Sequence, residues 1–209
     1  MFCPILSLFM SSDFIQSLHE IIKQASIMEW LVFICALIYI IFIALENSIG
    51  WLFGFLASFF SVYICYQAGL FLESGLNILY CIIGIYGWHQ WLYGSYERKK
   101  IMVTQLSFKK NFLLFLIGII FWLLLGFFAK SFSKQVLPYL DAFITAFSII
   151  ATWMTAKKYI ENWIYWIFID ALSIILFASR EYYLLAFLNF IYIIIAVFGF
   201  LKWRRVIIS

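Results

Sequence analysis

The chain has 209 residues, of which 67% are hydrophobic and only 11% are charged, whereas about 25% of residues in ordinary soluble domains are charged. A fold of this composition cannot keep its apolar surface from water, so it is not a soluble globular protein and requires a lipid bilayer as solvent. We attribute the net charge of +4 to lysine and arginine that orient the chain in the membrane. We therefore expect no nucleic-acid partner.

Residues 1–27 form a separate N-terminal segment. Its first ten residues are apolar but lack the basic start of a signal peptide, so no cleaved signal is predicted. Between residues 14 and 25 the apolar side chains fall at helical spacing. This spacing favours an amphipathic helix that lies on the outer face of the membrane.

Seven apolar runs with few or no charges follow this segment. A spanning helix needs roughly 20 mostly apolar residues, and flanking lysine, glutamate, tryptophan or tyrosine can extend a shorter run. The predicted spans are residues 30–45, 51–68, 71–93, 111–129, 142–156, 162–179 and 182–201. We therefore predict an all-α membrane protein with seven transmembrane helices.

Lysine and arginine are distributed unequally between the two sides of these spans. With the N-terminus outside, ten of the 14 basic residues lie in inner loops and in the C-terminal tail, and four lie outside. The positive-inside rule then predicts an outer N-terminus and a cytoplasmic C-terminus.

The chain contains an internal repeat at a shift of 112 residues. Residues 76–91 and 188–203 match without a gap at polar and aromatic positions that a shared apolar bias would not align. The matched pairs include Asn77 and Asn189, Tyr80 and Tyr192, Gly87 and Gly199, and Trp91 and Trp203. Three spans precede and three follow an unmatched fourth span, so both copies have the same orientation and form a parallel repeat.

The repeat divides the chain into five parts. We predict an N-terminal segment at 1–27, a first three-helix repeat at 28–96, and a basic loop with a linker helix at 97–136. A second three-helix repeat follows at 137–205, with a short tail at 206–209. Parallel repeats of this kind occur in some transporter folds, and the substrate sites of those transporters tend to lie between the halves near the bilayer midplane.

Two matching polar and aromatic stripes are the first candidates for that site. Asn77 and Tyr80 share one face of the third span, and Asn189 and Tyr192 share one face of the seventh. For the two asparagines, ligand contact and helix packing remain equally consistent with the sequence. The glycines on the stripes are interpreted as packing positions, and Trp91 and Trp203 as residues of the membrane–water interface.

Asp170 is the only charged residue that the sequence places deep in the bilayer. A charged residue there costs about 2.5 to 3.5 kcal/mol on a translocon scale, which favours a functional role. Trp166 lies one turn earlier on the same face, so a π-face stands beside a carboxylate. We favour substrate contact, while structural pairing and a proton site remain open; Ser58, the repeat mate of Asp170, and Ser173 are further candidates.

No pattern in the sequence indicates catalysis, a metal site or a cofactor. The four cysteines lack a CxxC motif or a histidine partner, and no phosphate-binding GxxxxGK[ST] loop occurs. An intramembrane enzyme using Asp170 with His89 or Glu161 is less favoured, because no second acid, nucleophile or metal set lies at the same depth. A seven-helix receptor is also less favoured, and Lys202 lies too near a helix end for a retinal Schiff base.

Three segments resemble the PnuC family of bacterial vitamin transporters. They are IYGWHQW at 85–91, LPYLDAF at 137–143 and KKYIENWIYWIFIDALSI at 157–174. The resemblance implies seven helices in a three-plus-one-plus-three, SWEET-like arrangement, a homotrimer, and a location in the bacterial inner membrane. It also implies uptake of nicotinamide riboside by facilitated diffusion, followed by trapping through cytosolic phosphorylation; relatives carry thiamine or riboflavin.

The resemblance also implies roles for individual residues. The family's tryptophan of the sixth helix falls on Trp166, its asparagine four residues later falls on Asp170, and a polar residue of the third helix falls on Asn77. A carboxylate in place of the asparagine still accepts hydrogen bonds from ribose hydroxyls and also favours a cation. Both the pyridinium of nicotinamide riboside and the thiazolium of thiamine satisfy that preference, so charge does not separate the two vitamins.

Overall fold

The computed structural model describes residues 26–67, 71–94, 101–132, 137–180 and 183–208. Within these ranges the chain forms seven α-helices and no sheet, only one isolated β-bridge between Thr104 and Tyr159. The helices are α1 (Ile27–Ala44), α2 (Gly50–Gln67), α3 (Phe71–Tyr93), α4 (Phe108–Phe132), α5 (Pro138–Ala156), α6 (Asn162–Ser179) and α7 (Tyr183–Ile208). Each helix coincides with one predicted span, whereas the amphipathic segment predicted at 14–25 lies outside the described residues.

Six of the seven helices are long and apolar enough to cross a membrane, which makes the chain a multi-pass membrane protein. Helix α3 is not among the six, and it carries polar residues at Asn77, His89 and Gln90. Helices α4 and α7 run several residues past their predicted ends, because their terminal lysines and arginines can reach water while the helix continues.

Helix α1 begins with a capping box. Ser26 Oγ accepts a hydrogen bond from the backbone N–H of Glu29 at 3.3 Å, and the Glu29 carboxylate accepts one from the Ser26 N–H at 2.7 Å. This exchange satisfies two N–H groups that the first turn would otherwise leave without partners.

The helices pack as two consecutive groups of three. Helix α2 contacts α1 and α3 in the first group, and α6 contacts α5 and α7 in the second. Among the described residues the helix backbones of the two groups approach closely at α3 with α5 and at α7 with α1, and each pair is the counterpart of the other under the 112-residue shift. Helix α4 packs mainly on α5, and its Asn111 accepts a hydrogen bond from the Tyr165 hydroxyl of α6 at 2.9 Å.

Four tryptophans repeat the same contacts in both groups. Trp51 meets Trp91 edge to face at 5.7 Å between ring centroids, and the equivalent Trp163 and Trp203 meet at 5.3 Å. Trp91 and Trp203, which correspond to each other in the repeat, lie 6.0 Å apart. Two residues that correspond and also touch must lie at the axis relating the two groups.

The interpretation of Trp91 and Trp203 as membrane-interface residues was therefore wrong. Both indoles are buried inside the protein, with only 4% and 0% of their surface exposed. The physical reason is the glycine one turn earlier on each helix: Gly87 and Gly199 leave space for the rings of Trp51 and Trp163, which then cover the two indoles.

Candidate functional site

A cavity of about 280 Å³ lies between the two groups of helices. Its volume is near the lower end of the range of roughly 300 to 1,000 Å³ found for small-molecule sites. All helices except α4 contribute to it. The lining residues are Ala36, Tyr39, Ile40, Trp51, Gly54, Ala57, Ser58, Tyr80, Gly84, Ser148, Thr152, Trp166, Asp170 and Tyr192.

Ten of these fourteen residues form five pairs at the 112-residue shift, so the cavity surrounds the axis between the groups. The pairs are Ala36 and Ser148, Ile40 and Thr152, Gly54 and Trp166, Ser58 and Asp170, and Tyr80 and Tyr192. In three of the five pairs, the residue of the first group has an apolar side chain or none, and the corresponding residue of the second group has a hydroxyl or an indole. The second group therefore supplies most of the polar wall.

Asp170 is the one acidic side chain among the cavity-lining residues. The residue is only 4% exposed, and among the described residues no lysine or arginine pairs with it and no group donates a hydrogen bond to it. Tyr192 lies near enough to interact with it electrostatically. A buried carboxylate without a partner is costly, and a cation or hydroxyl donor in the cavity would remove that cost.

Trp166 is held in place beside Asp170 by a chain of hydrogen bonds. Its Nε1 donates to Thr155 Oγ1 at 3.4 Å, and Thr155 Oγ1 donates to the carbonyl of Ala151 at 2.8 Å. The Asn162 side chain lies 3.1 Å from the same hydroxyl and donates to the Tyr159 carbonyl at 2.6 Å. These contacts fix the indole plane, so its face can serve as a rigid surface for a planar ligand.

Three tyrosines surround the remaining space, namely Tyr39, Tyr80 and Tyr192. Tyr39 passes so close to Gly54 that a Cβ there would lie 2.7 Å from its ring, which explains the absence of a side chain at the position equivalent to Trp166. The Tyr80 hydroxyl lies near enough to Ser148 to interact with it. The cavity thus combines aromatic faces, several hydroxyls and one carboxylate, a combination suited to a small planar cation that carries hydroxyls.

The structure brings five of the eight predicted site residues together at the cavity: Trp166, Asp170, Tyr80, Tyr192 and Ser58. The other three do not line it. Asn77 lies 3.9 Å from Cys65 Sγ, Asn189 donates to the carbonyl of Leu185 at 2.7 Å, and Ser173 donates to that of Ile169 at 2.8 Å. Each of the three lies at least three residues along its helix from the nearest lining position.

Sequence reasoning missed Tyr39, Ser148 and Thr152. The sequence does distinguish Ser148 and Thr152, because they are polar residues that align with the apolar Ala36 and Ile40 in the repeat and lie one turn apart on α5. No group of three or more histidines, cysteines or acids able to bind a metal occurs within the described ranges.

A multi-pass helical protein with a ligand-sized cavity on the axis between two related groups of helices belongs to the class of membrane transporters. The model of the nicotinamide mononucleotide transporter family matches residues 26–205, so the chain is a member of that family. This confirms the resemblance inferred from the sequence and places the chain among transporters rather than enzymes.

Individual relatives agree with this assignment. The chain is 30% identical over 71 residues to the nicotinamide riboside transporter PnuC of Escherichia coli K12 and to that of Shigella flexneri. The aligned stretch spans 34% of this chain and 30% of each relative. The crystal structure of the vitamin B3 transporter PnuC superposes with a TM-score of 0.72 over 92% of this chain and 86% of that one, at 20% identity. At that identity the superposition establishes the fold.

Proposed function

We propose that this protein carries nicotinamide riboside across the bacterial inner membrane by facilitated diffusion. The names of the two relatives support this substrate, and the family's description names the related nicotinamide mononucleotide. The sequence has no phosphate-binding loop for ATP, and in this proposal the concentration gradient of the vitamin drives its passage. Phosphorylation by a cytosolic kinase then keeps the imported molecule inside the cell.

The observation that carries the proposal is the buried, unpaired carboxylate of Asp170 beside the fixed indole of Trp166. The positively charged pyridinium of nicotinamide riboside would stack on this indole and remain close to the carboxylate. The ribose hydroxyls would then meet the tyrosines and the hydroxyls of Ser148 and Thr152. Asn77, Asn189 and Ser173, which lie outside the cavity lining, would support the helices around the ligand.

The proposed arrangement has three helices, a linker helix and three helices, related by a parallel pseudo-twofold axis as in SWEET-like transporters. The paired contacts of α3 with α5 and α7 with α1 support it, as do the touching repeat mates Trp91 and Trp203. With the N-terminus outside, the α1–α2 and α5–α6 loops face the cytoplasm. We further propose a homotrimer embedded in lipid, with the domain limits predicted from the repeat.

Thiamine is the second candidate, because its thiazolium ring is also a planar cation that would suit Asp170 and Trp166. The names of the relatives favour nicotinamide riboside over it. A carboxylate in the cavity would suit both candidates, so the role of Asp170 and the choice of vitamin need separate tests.

The role of Asp170 is tested by uptake of radiolabelled nicotinamide riboside into proteoliposomes. We expect Asp170→Ala to abolish uptake while the protein remains folded, because the cationic ring loses its counter-charge. Ser173→Ala is the matched control on the same helix, because it removes a buried hydroxyl that donates to the Ile169 carbonyl of that helix and does not line the cavity. Wild-type uptake by Asp170→Ala would overturn the proposed site.

A further inference from the structure

The cavity is closed at the end where the α1–α2 and α5–α6 loops lie. Ile43, Ala44, Ala156 and Ile160 fill this end beneath the four tryptophans, and none of them is more than 2% exposed. No solute can pass through a layer packed this tightly, so passage requires the two groups of helices to separate here.

One ion pair joins the groups beyond this layer. Lys158 Nζ lies 2.9 Å from Glu46 Oε2, and the lysine also lies 4.5 Å from the centre of the Trp91 ring. Glu46 and Lys158 are 112 residues apart, so they correspond to each other in the repeat. The pair therefore crosses the axis itself, where separation of the groups would break it.

The backbone presents these two side chains in the same way. Glu46 and Lys158 both adopt a left-handed conformation, with φ of 57° and 54°. Such angles are uncommon for residues other than glycine. The same hydrogen bonds end both helices, from Glu46 to Ile43 and from Lys158 to Thr155, each at 3.0 Å. Two equivalent turns thus place the Glu46 carboxylate and the Lys158 ammonium group next to each other on the axis.

The two loops differ in what else holds them. Thr104 accepts a hydrogen bond from Ile160 at 3.0 Å and donates one to Lys158 at 3.1 Å, and the Leu106 N–H donates to Glu161 at 3.0 Å. The chain before α4 therefore straps the α5–α6 loop. Within the described ranges, the α1–α2 loop bonds only to itself and its own helices, apart from Glu46.

The second group is also tied at its opposite end, where Arg180 pairs with Asp141 at 2.8 Å between α6 and α5. A group held at both ends, which also carries the polar wall of the cavity, is suited to act as the fixed frame. At the loop end the first group is held by Glu46 and also by Trp91, whose Nε1 donates to the carbonyls of Thr155 at 3.3 Å and of Ala156 at 3.2 Å. Since Glu46 is the one described residue of the α1–α2 loop that bonds to the second group, this loop is the part suited to move.

We propose that the Glu46–Lys158 ion pair is the latch of a gate at the loop end of the transporter. With the latch closed, the tryptophan layer, formed by the four tryptophans and the packed aliphatic residues beneath them, seals the cavity. Opening breaks the ion pair and swings the α1–α2 loop away from the strapped α5–α6 loop. The latch belongs to the transport cycle of the proposed function, but it does not depend on which vitamin is carried.

The test measures access to the cavity from the loop side without any substrate. Both labelled variants are made in a chain that lacks its native cysteines. Thr152→Cys places the reporter thiol in the cavity. Met102→Cys, made in a separate variant at a residue that is 72% exposed, shows that the reagent reaches the loop side of the protein. A membrane-impermeant anionic thiol reagent is applied. We expect E46K and K158E each to raise the labelling rate of the reporter about fivefold or more, since each brings two like charges together.

The double variant E46K/K158E is the matched control, because it exchanges the charges between equivalent positions and restores the pair. Its labelling rate should return to within about twofold of the parent. Parental labelling in both single variants, or a double variant that labels as fast as they do, would overturn the latch. If either single variant fails to accumulate, E46Q and K158Q are measured in its place, and unchanged labelling in both overturns the latch equally.

Failure of the latch and failure of the proposed function are distinguishable. Loss of the labelling pattern in a protein that still takes up nicotinamide riboside removes only the latch. The expected pattern in a protein that takes up no nicotinamide riboside removes only the substrate.

Discussion

Gly87 is the position at which a single methyl group should be most informative about the packing of the two groups of helices. A Cβ at Gly87 would lie 2.6 Å from two carbons of the Trp51 ring, well inside van der Waals contact. That ring is 1% exposed and is held by Tyr39 at 5.8 Å and Trp91 at 5.7 Å, so it has no space in which to move away. Gly87→Ala should therefore force α3 and α2 apart.

The magnitude follows from comparison with Gly75→Ala on the same helix, where a Cβ would meet nothing within 4 Å. Both variants gain about 0.8 to 1.0 kcal/mol of helix propensity, which cancels in the comparison. Overpacking a close-packed core costs about 1 to 3 kcal/mol, so we expect Gly87→Ala to be less stable than Gly75→Ala by that amount.

Thermal unfolding in detergent, followed by tryptophan fluorescence, measures this difference. At roughly 2 to 4 °C per kcal/mol for a chain of this size, the two variants should melt roughly 2 to 12 °C apart. Gly199→Ala should behave like Gly87→Ala, because a Cβ there would lie equally close to Trp163. Equal melting temperatures for Gly87→Ala and Gly75→Ala would refute the packing described for the tryptophan layer.

Two further predictions concern the cavity. Gly54→Ala should weaken ligand binding, because the new Cβ, 2.7 Å from the Tyr39 ring, displaces that ring; calorimetry should show a higher Kd, and an unchanged Kd would mean that the tyrosine does not shape the site. Trp166→Leu should reduce affinity about tenfold or more by removing the stacking surface, whereas exposed Phe168→Leu on the same helix should bind as the wild type does in the same titration. Equal binding by both leucine variants would exclude the stacking role.

The helices and the repeat are predictable from the sequence for identifiable reasons. Apolar runs with few or no charges predict the seven helices, because only a helix satisfies its own backbone hydrogen bonds in lipid. The 112-residue shift predicts which helices correspond. Asp170 stands out because a carboxylate is conspicuous inside an apolar helix, and Trp166 is selected because it lies one turn earlier on the same face.

The remaining parts depend on contacts that the sequence does not encode locally. The repeat marks Thr152, which aligns with Ile40, but only the folded chain shows that this side chain lines the cavity while its hydroxyl donates to the Ser148 carbonyl at 2.7 Å. In the sequence, Glu46 and Lys158 are indistinguishable from ordinary charged residues of loops. Only the fold shows that Lys158 Nζ lies 2.9 Å from Glu46 Oε2. Asn77 and Asn189 share a face with Tyr80 and Tyr192, but the depth of the cavity along that face is set by tertiary packing.

The central claim is that the Asp170 carboxylate binds the cationic ring of nicotinamide riboside, and isothermal titration of the purified protein tests it most directly. We predict that the wild-type protein binds nicotinamide riboside more tightly than thiamine, as the names of the relatives favour. Asp170→Asn, which keeps the shape but removes the charge, should lose about tenfold in affinity, the difference between a charged and a neutral hydrogen-bond partner. Tighter binding of thiamine would contradict the choice of vitamin, and unchanged affinity of Asp170→Asn for nicotinamide riboside would contradict the central claim.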